Sequence, residues 1–91
     1  MRPRRWRRRK AQAPVLDLRG VDAERALRLL DQWLERGFLR GTSYGTVVCG
    51  WGKGRVLSAV SEKLDTHRLV AGYRSNGPEL IVEIVPRDPN H

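Results

Sequence analysis

The stretch Val47-Val48-Cys49-Gly50-Trp51-Gly52-Lys53-Gly54-Arg55-Val56-Leu57 decides how the rest of this 91-residue chain is read. Two valines followed by glycines at every second position (Gly50, Gly52, Gly54) read as a short buried strand, a glycine loop and the first turn of a helix. Such a helix turns its unpaired N–H groups and the positive end of its dipole back into the loop. The loop is therefore a seat for a phosphate or another anion. Lys53 and Arg55 add formal charge there, and Trp51 offers a flat apolar surface for stacking or for packing against a helix.

Immediately upstream, Thr46 to Cys49 is the strand that feeds the loop. Further back, Ala26, Leu27, Leu30, Trp33, Leu34 and Phe38 recur at the spacing of an amphipathic helix. Asp22 is placed to cap its start and Gly41 to stop it. Before that helix, Val15 to Gly20 reads as a first strand covered on both faces. Asp17 would then be buried and in need of partners. Downstream of the loop, Arg55 to about Asp65 is a second helix with Val56, Leu57, Val60 and Leu64 on one face. His67, just past its end, reads as a charge–dipole contact rather than a catalytic group. Leu69 to Arg74 and Leu80 to Val85 are strands joined by the turn Ser75-Asn76-Gly77-Pro78, an antiparallel hairpin. The order βαβαββ predicts an α/β fold: a two-layer sandwich with a mixed four-stranded sheet and two main helices. Residues 1–13 read as a disordered basic N-terminal arm, 14–87 as the folded domain and 88–91 as a frayed C-terminus.

The charge is uneven. The formal net charge is +8, and residues 1–10 carry seven Arg or Lys and no acid. The remaining basic residues exceed the acidic ones by one, so the basicity belongs to the arm. Arg4, Arg5, Arg7, Arg8, Arg9 and Lys10 fit contacts to nucleic-acid phosphates through counterion release. Such contacts position a protein without conferring sequence specificity. The single cysteine, Cys49, excludes an internal disulfide and fits a reducing, cytoplasmic compartment. No apolar run approaches the ~20 residues of a membrane span.

Two motifs in order resemble those of the Smr (small MutS-related) domain family. Leu16-Asp17-Leu18-Arg19-Gly20 is similar to its LDLRG or LDLHG strand, and Cys49-Gly50-Trp51-Gly52-Lys53-Gly54-Arg55-Val56 resembles its HGKGxGxL loop. Val70-Ala71-Gly72-Tyr73-Arg74 resembles its V–x–x–F/Y–R strand, so the likeness covers about residues 15–85. The resemblance implies a module that binds DNA or RNA. Members stand alone, end a MutS paralogue or are fused to RNA-binding repeats. Several are endonucleases, and some act at stalled ribosomes. The resemblance also implies that strand one and the loop line one face of the sheet.

The chain departs from the family pattern where chemistry would sit. Arg19 replaces a histidine, Cys49 replaces the loop histidine, and Trp51 replaces the loop lysine, with Lys53 two positions on. An imidazole moves protons near neutral pH, whereas a guanidinium stays charged. Cys49 acts as a base only as a thiolate, and its bland reading is a small residue at a strand end. The main expectation is a nucleic-acid binder in which Gly50, Trp51, Gly52, Lys53, Gly54 and Arg55 hold a phosphate, with Arg19 and Arg74 gripping the backbone beside it. The alternative for Arg19 is an ion pair that satisfies Asp17, and the sequence leaves that choice open. A second expectation is an endonuclease with Asp17, Arg19 and Cys49 as its catalytic set; magnesium enters only with that reading. The third is a protein-interaction or nucleotide-binding module, although the loop lacks the Gly-Lys-Ser/Thr of a nucleotide-binding P-loop.

Overall fold

The computed structural model describes residues 14–50 and 54–87. The expectations for the basic arm, for Trp51, Gly52 and Lys53 in the loop, and for residues 88–91 lie outside them. The elements run β1 (Val15–Asp17), α1 (Ala23–Arg40), β2 (Tyr44–Val48), α2 (Arg55–Thr66), β3 (Val70–Asn76) and β4 (Glu79–Ile84). This is the expected βαβαββ order.

α1 forms where the apolar spacing placed it. Asp22 Oδ1 accepts from the Arg25 N–H at 2.9 Å, which satisfies one of the orphan donors of the first turn. At the other end Gly41 is left-handed, and Gly41 and Thr42 donate to the carbonyls of Phe38 and Gly37.

The sheet order is β1-β2-β4-β3. β1 runs parallel to β2, as a strand returning through a helix must, while β4 is antiparallel to both β2 and β3. The sheet is mixed, as expected. Leu18, Val47, Leu80, Val82 and Ile84 meet Ala26, Leu30, Trp33 and Leu34 of α1 and Val60 and Leu64 of α2 in one apolar cluster. Both helices thus cover the same face and touch one another. One close approach sets the depth of α1. A Cβ on Gly45 would lie 2.6 Å from Cζ2 and 2.9 Å from Cη2 of Trp33, so the indole sits directly on the β2 backbone.

The opposite face of the sheet is uncovered by the helices. This corrects the reading of β1 as a strand buried on both sides. β1 is a three-residue edge strand, Val15 is 60% exposed and Asp17 is exposed at its end. β2 also starts two residues earlier than expected, at Tyr44. Gly45 weakens the strand signal there, but the register with β4 extends to Tyr44 opposite Glu83.

Candidate nucleic-acid interface

The end of β1 and the loop after β2 are brought together by backbone bonds. Leu18 N–H donates to the Val48 carbonyl at 2.8 Å, continuing the parallel ladder one residue past β1. Cys49 and Gly50 both donate to the Pro78 carbonyl, which ties the start of the loop to the β3–β4 turn. A Cβ on Gly50 would lie 3.2 Å from Cγ of Arg19, so the Arg19 stem lies against the loop.

Asp17 and Arg19 form a forked pair. Arg19 Nε donates to Asp17 Oδ1 at 2.9 Å and Nη2 to Oδ2 at 2.7 Å, and the Arg19 backbone N–H also donates to Oδ1 at 3.1 Å. Both carboxylate oxygens are engaged. The hydrogen bonds from Arg19 hold the Asp17 carboxyl at about 2, well below its ordinary 3.8, and Asp17 in turn raises the Arg19 guanidinium. The side chains are 65% and 48% exposed, so the pair stands in solvent. The guanidinium still presents its Nη1 hydrogens and the second Nη2 hydrogen, which fit an incoming oxyanion. Asp17 fixes a direction for Arg19. It makes a poor proton acceptor near neutral pH, where a useful base has a pKa close to the operating value.

Cys49 follows β2 and is half-buried; burial raises its thiol, so the thiolate that base chemistry requires is disfavoured. Gly54 caps α2 with φ +92° and makes no side-chain cap bond, leaving the first N–H groups of α2 without a side-chain partner at that position. Arg55 is exposed in the first turn. Asp17, Arg19, Cys49 and Gly50 thus meet at one end of the sheet, and Gly54 and Arg55 open the helix that follows the loop. Arg74 does not join them. It lies on β3, the other edge strand, opposite Ile81, about 14 Å across three strand spacings.

His67 stands at the end of α2 as expected and makes a further contact there. It is the C-cap of α2, its side chain is 8% exposed, and Nε2 lies 2.7 Å from Asp31 Oδ1 of α1. Its Nδ1 accepts from the Leu69 N–H at 3.1 Å. The ring pins α1 to the start of β3, a partner 36 residues away that no local spacing reveals. Tyr73 makes a similar tie, donating its O–H to Asp65 Oδ1 at 2.7 Å. Among the described residues no three His, Cys, Asp or Glu side chains come together as a metal site. Nor does any helix there have the length and apolarity to cross a membrane.

A family model described as the Smr domain matches residues 16–80. Endonuclease MutS2 of Clostridium novyi (strain NT) is 35% identical over 65 residues, which is 71% of this chain and 8% of that protein. Endonuclease MutS2 of Clostridium botulinum (strain 657 / Type Ba4) is 38% identical over 66 residues, 72% of this chain and 8% of that protein. The chain therefore spans less than a tenth of the length of these relatives. Among solved structures, the Smr domain of Thermus thermophilus MutS2 superposes with a TM-score of 0.79 at 26% identity, over 81% of this chain and 100% of that one. The human small-MutS related domain superposes with a TM-score of 0.65 at 28% identity, over 78% of this chain and 100% of that one.

Proposed function

Because the chain belongs to the Smr domain family, we propose that it is a nucleic-acid-binding module that grips phosphates without cutting the strand. The observation that carries this reading is the Asp17–Arg19 fork standing in solvent against Gly50. An arginine held by a carboxylate is a pre-aimed phosphate clamp. The start of α2, whose cap Gly54 supplies no side chain, and the exposed Arg55 add positive potential on the loop side. Lys53 and the arm residues Arg4, Arg5, Arg7, Arg8, Arg9 and Lys10 supply further charge, and Trp51 a stacking surface. The nucleic acid is DNA or RNA, free or ribosomal, in a cytoplasmic setting.

The endonuclease reading is favoured by the name of the MutS2 relatives, and it meets three obstacles in this chain. Asp17 is held too acidic to take a proton, Arg19 is locked in its charged form, and the Cys49 thiol is raised by burial. Magnesium does not fit the Asp17 carboxylate either. Its two oxygens are already taken by a guanidinium whose charge repels a dication.

The test follows binding and cleavage together. The full chain is mixed with labelled single-stranded RNA, hairpin RNA and supercoiled DNA, in magnesium and in chelator. The expected result is binding that weakens steeply with salt and no cleavage on any substrate. Cleavage that disappears in Asp17→Ala would overturn the proposal in favour of the nuclease. Salt-independent binding of a mononucleotide, with no binding of strands, would overturn it in favour of the nucleotide-binding reading.

A further inference from the structure

The uncovered face of the sheet carries a second constellation, away from the Asp17–Arg19 fork. Tyr44 of β2, Gly72 and Arg74 of β3, and Ile81 and Glu83 of β4 line a shallow open groove of about 550 Å³. The register explains why they meet. Tyr44 and Gly72 are both direct partners of Glu83, so the three lie in one row across the sheet. Arg74 is paired with Ile81 in the neighbouring row on the same face.

Each member is odd for a merely solvated surface. Tyr44 is 55% exposed, one of the few large hydrophobic side chains left in solvent among the described residues. Gly72 has no side chain, so the floor beside Glu83 stays open; a Cβ there would lie 3.8 Å from Glu83 Oε1. Arg74 and Glu83 are both exposed in the same groove, yet neither has an ion-pair partner within 4 Å among the described residues. An aromatic face, an apolar floor, an unpaired cation and an unpaired carboxylate together match the parts of one nucleotide. The tyrosine ring takes the flat face of a base. The guanidinium takes the phosphate. The carboxylate takes base N–H groups, and the bases differ in how many they offer side by side on their pairing edge.

From this we infer that the groove is a subsite for an unpaired guanine of a single strand, an inference that rests on the nucleic-acid reading above. Guanine presents two parallel donors, N1–H and N2–H, to the two oxygens of one carboxylate. Adenine and cytosine each present one amine N–H on that edge beside a ring-nitrogen acceptor that repels a carboxylate oxygen, and uracil directs carbonyl oxygens at the carboxylate on either side of its one N3–H. Glu83 is therefore the residue that chooses the base. Tyr44 and Arg74 hold whatever base and phosphate arrive. Tyr44 lies four residues before Val48, about 13 Å along β2 from the loop end. A strand clamped at Arg19 can thus run across the open face to reach the groove.

The experiment uses the full chain and fluorescent single strands of uridine carrying a central guanosine, inosine or uridine, and the same set on deoxyribose. Inosine keeps N1–H and lacks the N2 amine. The native chain is expected to prefer the guanosine strand to the all-uridine strand by about tenfold, with inosine between. Guanine preference on either sugar supports the groove and identifies the strand the chain takes. Glu83→Gln is expected to abolish the preference without weakening binding to the all-uridine strand. Tyr44→Ala is expected to weaken all three strands by about fivefold or more. Equal binding of all three strands by the native chain would overturn the guanine subsite, a result that needs no variant to fold. If Arg19→Ala still weakened those strands, the phosphate-gripping reading would survive that failure. If no strand bound the native chain, both would fall.

Discussion

Replacing Gly45 by alanine is a mutation on which local rules and this packing disagree in sign. Glycine inside a strand costs conformational entropy, so alanine there would be expected to stabilise by about 0.5–1 kcal/mol. In the structure the new methyl would meet Trp33 Cζ2 at 2.6 Å, Trp33 Cη2 at 2.9 Å and the Pro14 carbonyl oxygen at 2.9 Å. Trp33 is 7% exposed and sits in the apolar cluster, so its ring has no free space to retreat into. Overpacking of this kind costs about 1–3 kcal/mol. For a domain of this size each kcal/mol moves Tm by about 4–8 °C, so Gly45→Ala is expected to melt about 4–24 °C below the native chain. Urea denaturation gives the same quantity as a lower midpoint at unchanged m. Trp33→Phe removes the two clashing ring atoms. It is destabilising by itself because it leaves a cavity, but in that background Gly45→Ala should cost less, with a coupling of about 1–2 kcal/mol. The Pro14 contact keeps the residual cost above zero. A stabilising Gly45→Ala, or a cycle additive within about 0.5 kcal/mol, would refute the contact of α1 with β2 as described.

Three further outcomes follow from the same geometry. The Asp17 carboxyl is expected to titrate at about 2 by NMR, and Arg19→Ala to move its midpoint back toward 3.8. Because the folded value is depressed, the stabilisation from this pair is complete above about pH 4 and is lost as pH falls through about 2; an unshifted Asp17 would mean the fork is absent in solution. His67 in its neutral form is expected to carry its proton on Nε2, read from long-range ¹H–¹⁵N couplings, since Nδ1 accepts from Leu69; a proton on Nδ1 would contradict that bond. Gly54→Ala is expected to cost about 1–2 kcal/mol from backbone, because φ is +92° and nothing among the described residues lies within 4 Å of the new Cβ; an unchanged melting temperature would show that α2 starts elsewhere.

Most of the fold was legible because its signals are local. The spacing from Ala26 to Phe38, the cap at Asp22 and the stop at Gly41 each act within a few residues, and they place α1 as observed. The hairpin of β3 and β4 is likewise written in one turn and two short apolar runs. What the sequence could not display is what distant pairing decides. β4 inserts between β2 and β3, which leaves β1 at an edge and Asp17 in solvent rather than buried. The choice for Arg19 between phosphate and Asp17 stayed open because β1 ends at Asp17. Arg19 lies beyond the strand and is free to fold back as a fork while still facing solvent. Arg74 sits beside Tyr73 in a family-like motif, yet strand order carries it to the far edge, where it meets Tyr44 and Glu83 rather than the glycine loop. An exposed aromatic at the start of a strand, Tyr44, was the missed signal for that groove.

In the proposed function, Asp17 serves binding by aiming Arg19 at a phosphate. The most direct measurement is the affinity of the full native chain, Asp17→Ala and Arg19→Ala for one labelled single strand across a salt series. Arg19→Ala should weaken binding and lower the salt slope by about 0.7, one phosphate contact on a single strand. Asp17→Ala makes the chain more positive, so charge alone predicts tighter binding. If Asp17 aims Arg19, the outcome is instead a loss of about two- to tenfold, the worth of holding one long side chain in place before it binds, with the slope unchanged. Tighter binding by Asp17→Ala, or no effect of Arg19→Ala, would contradict it.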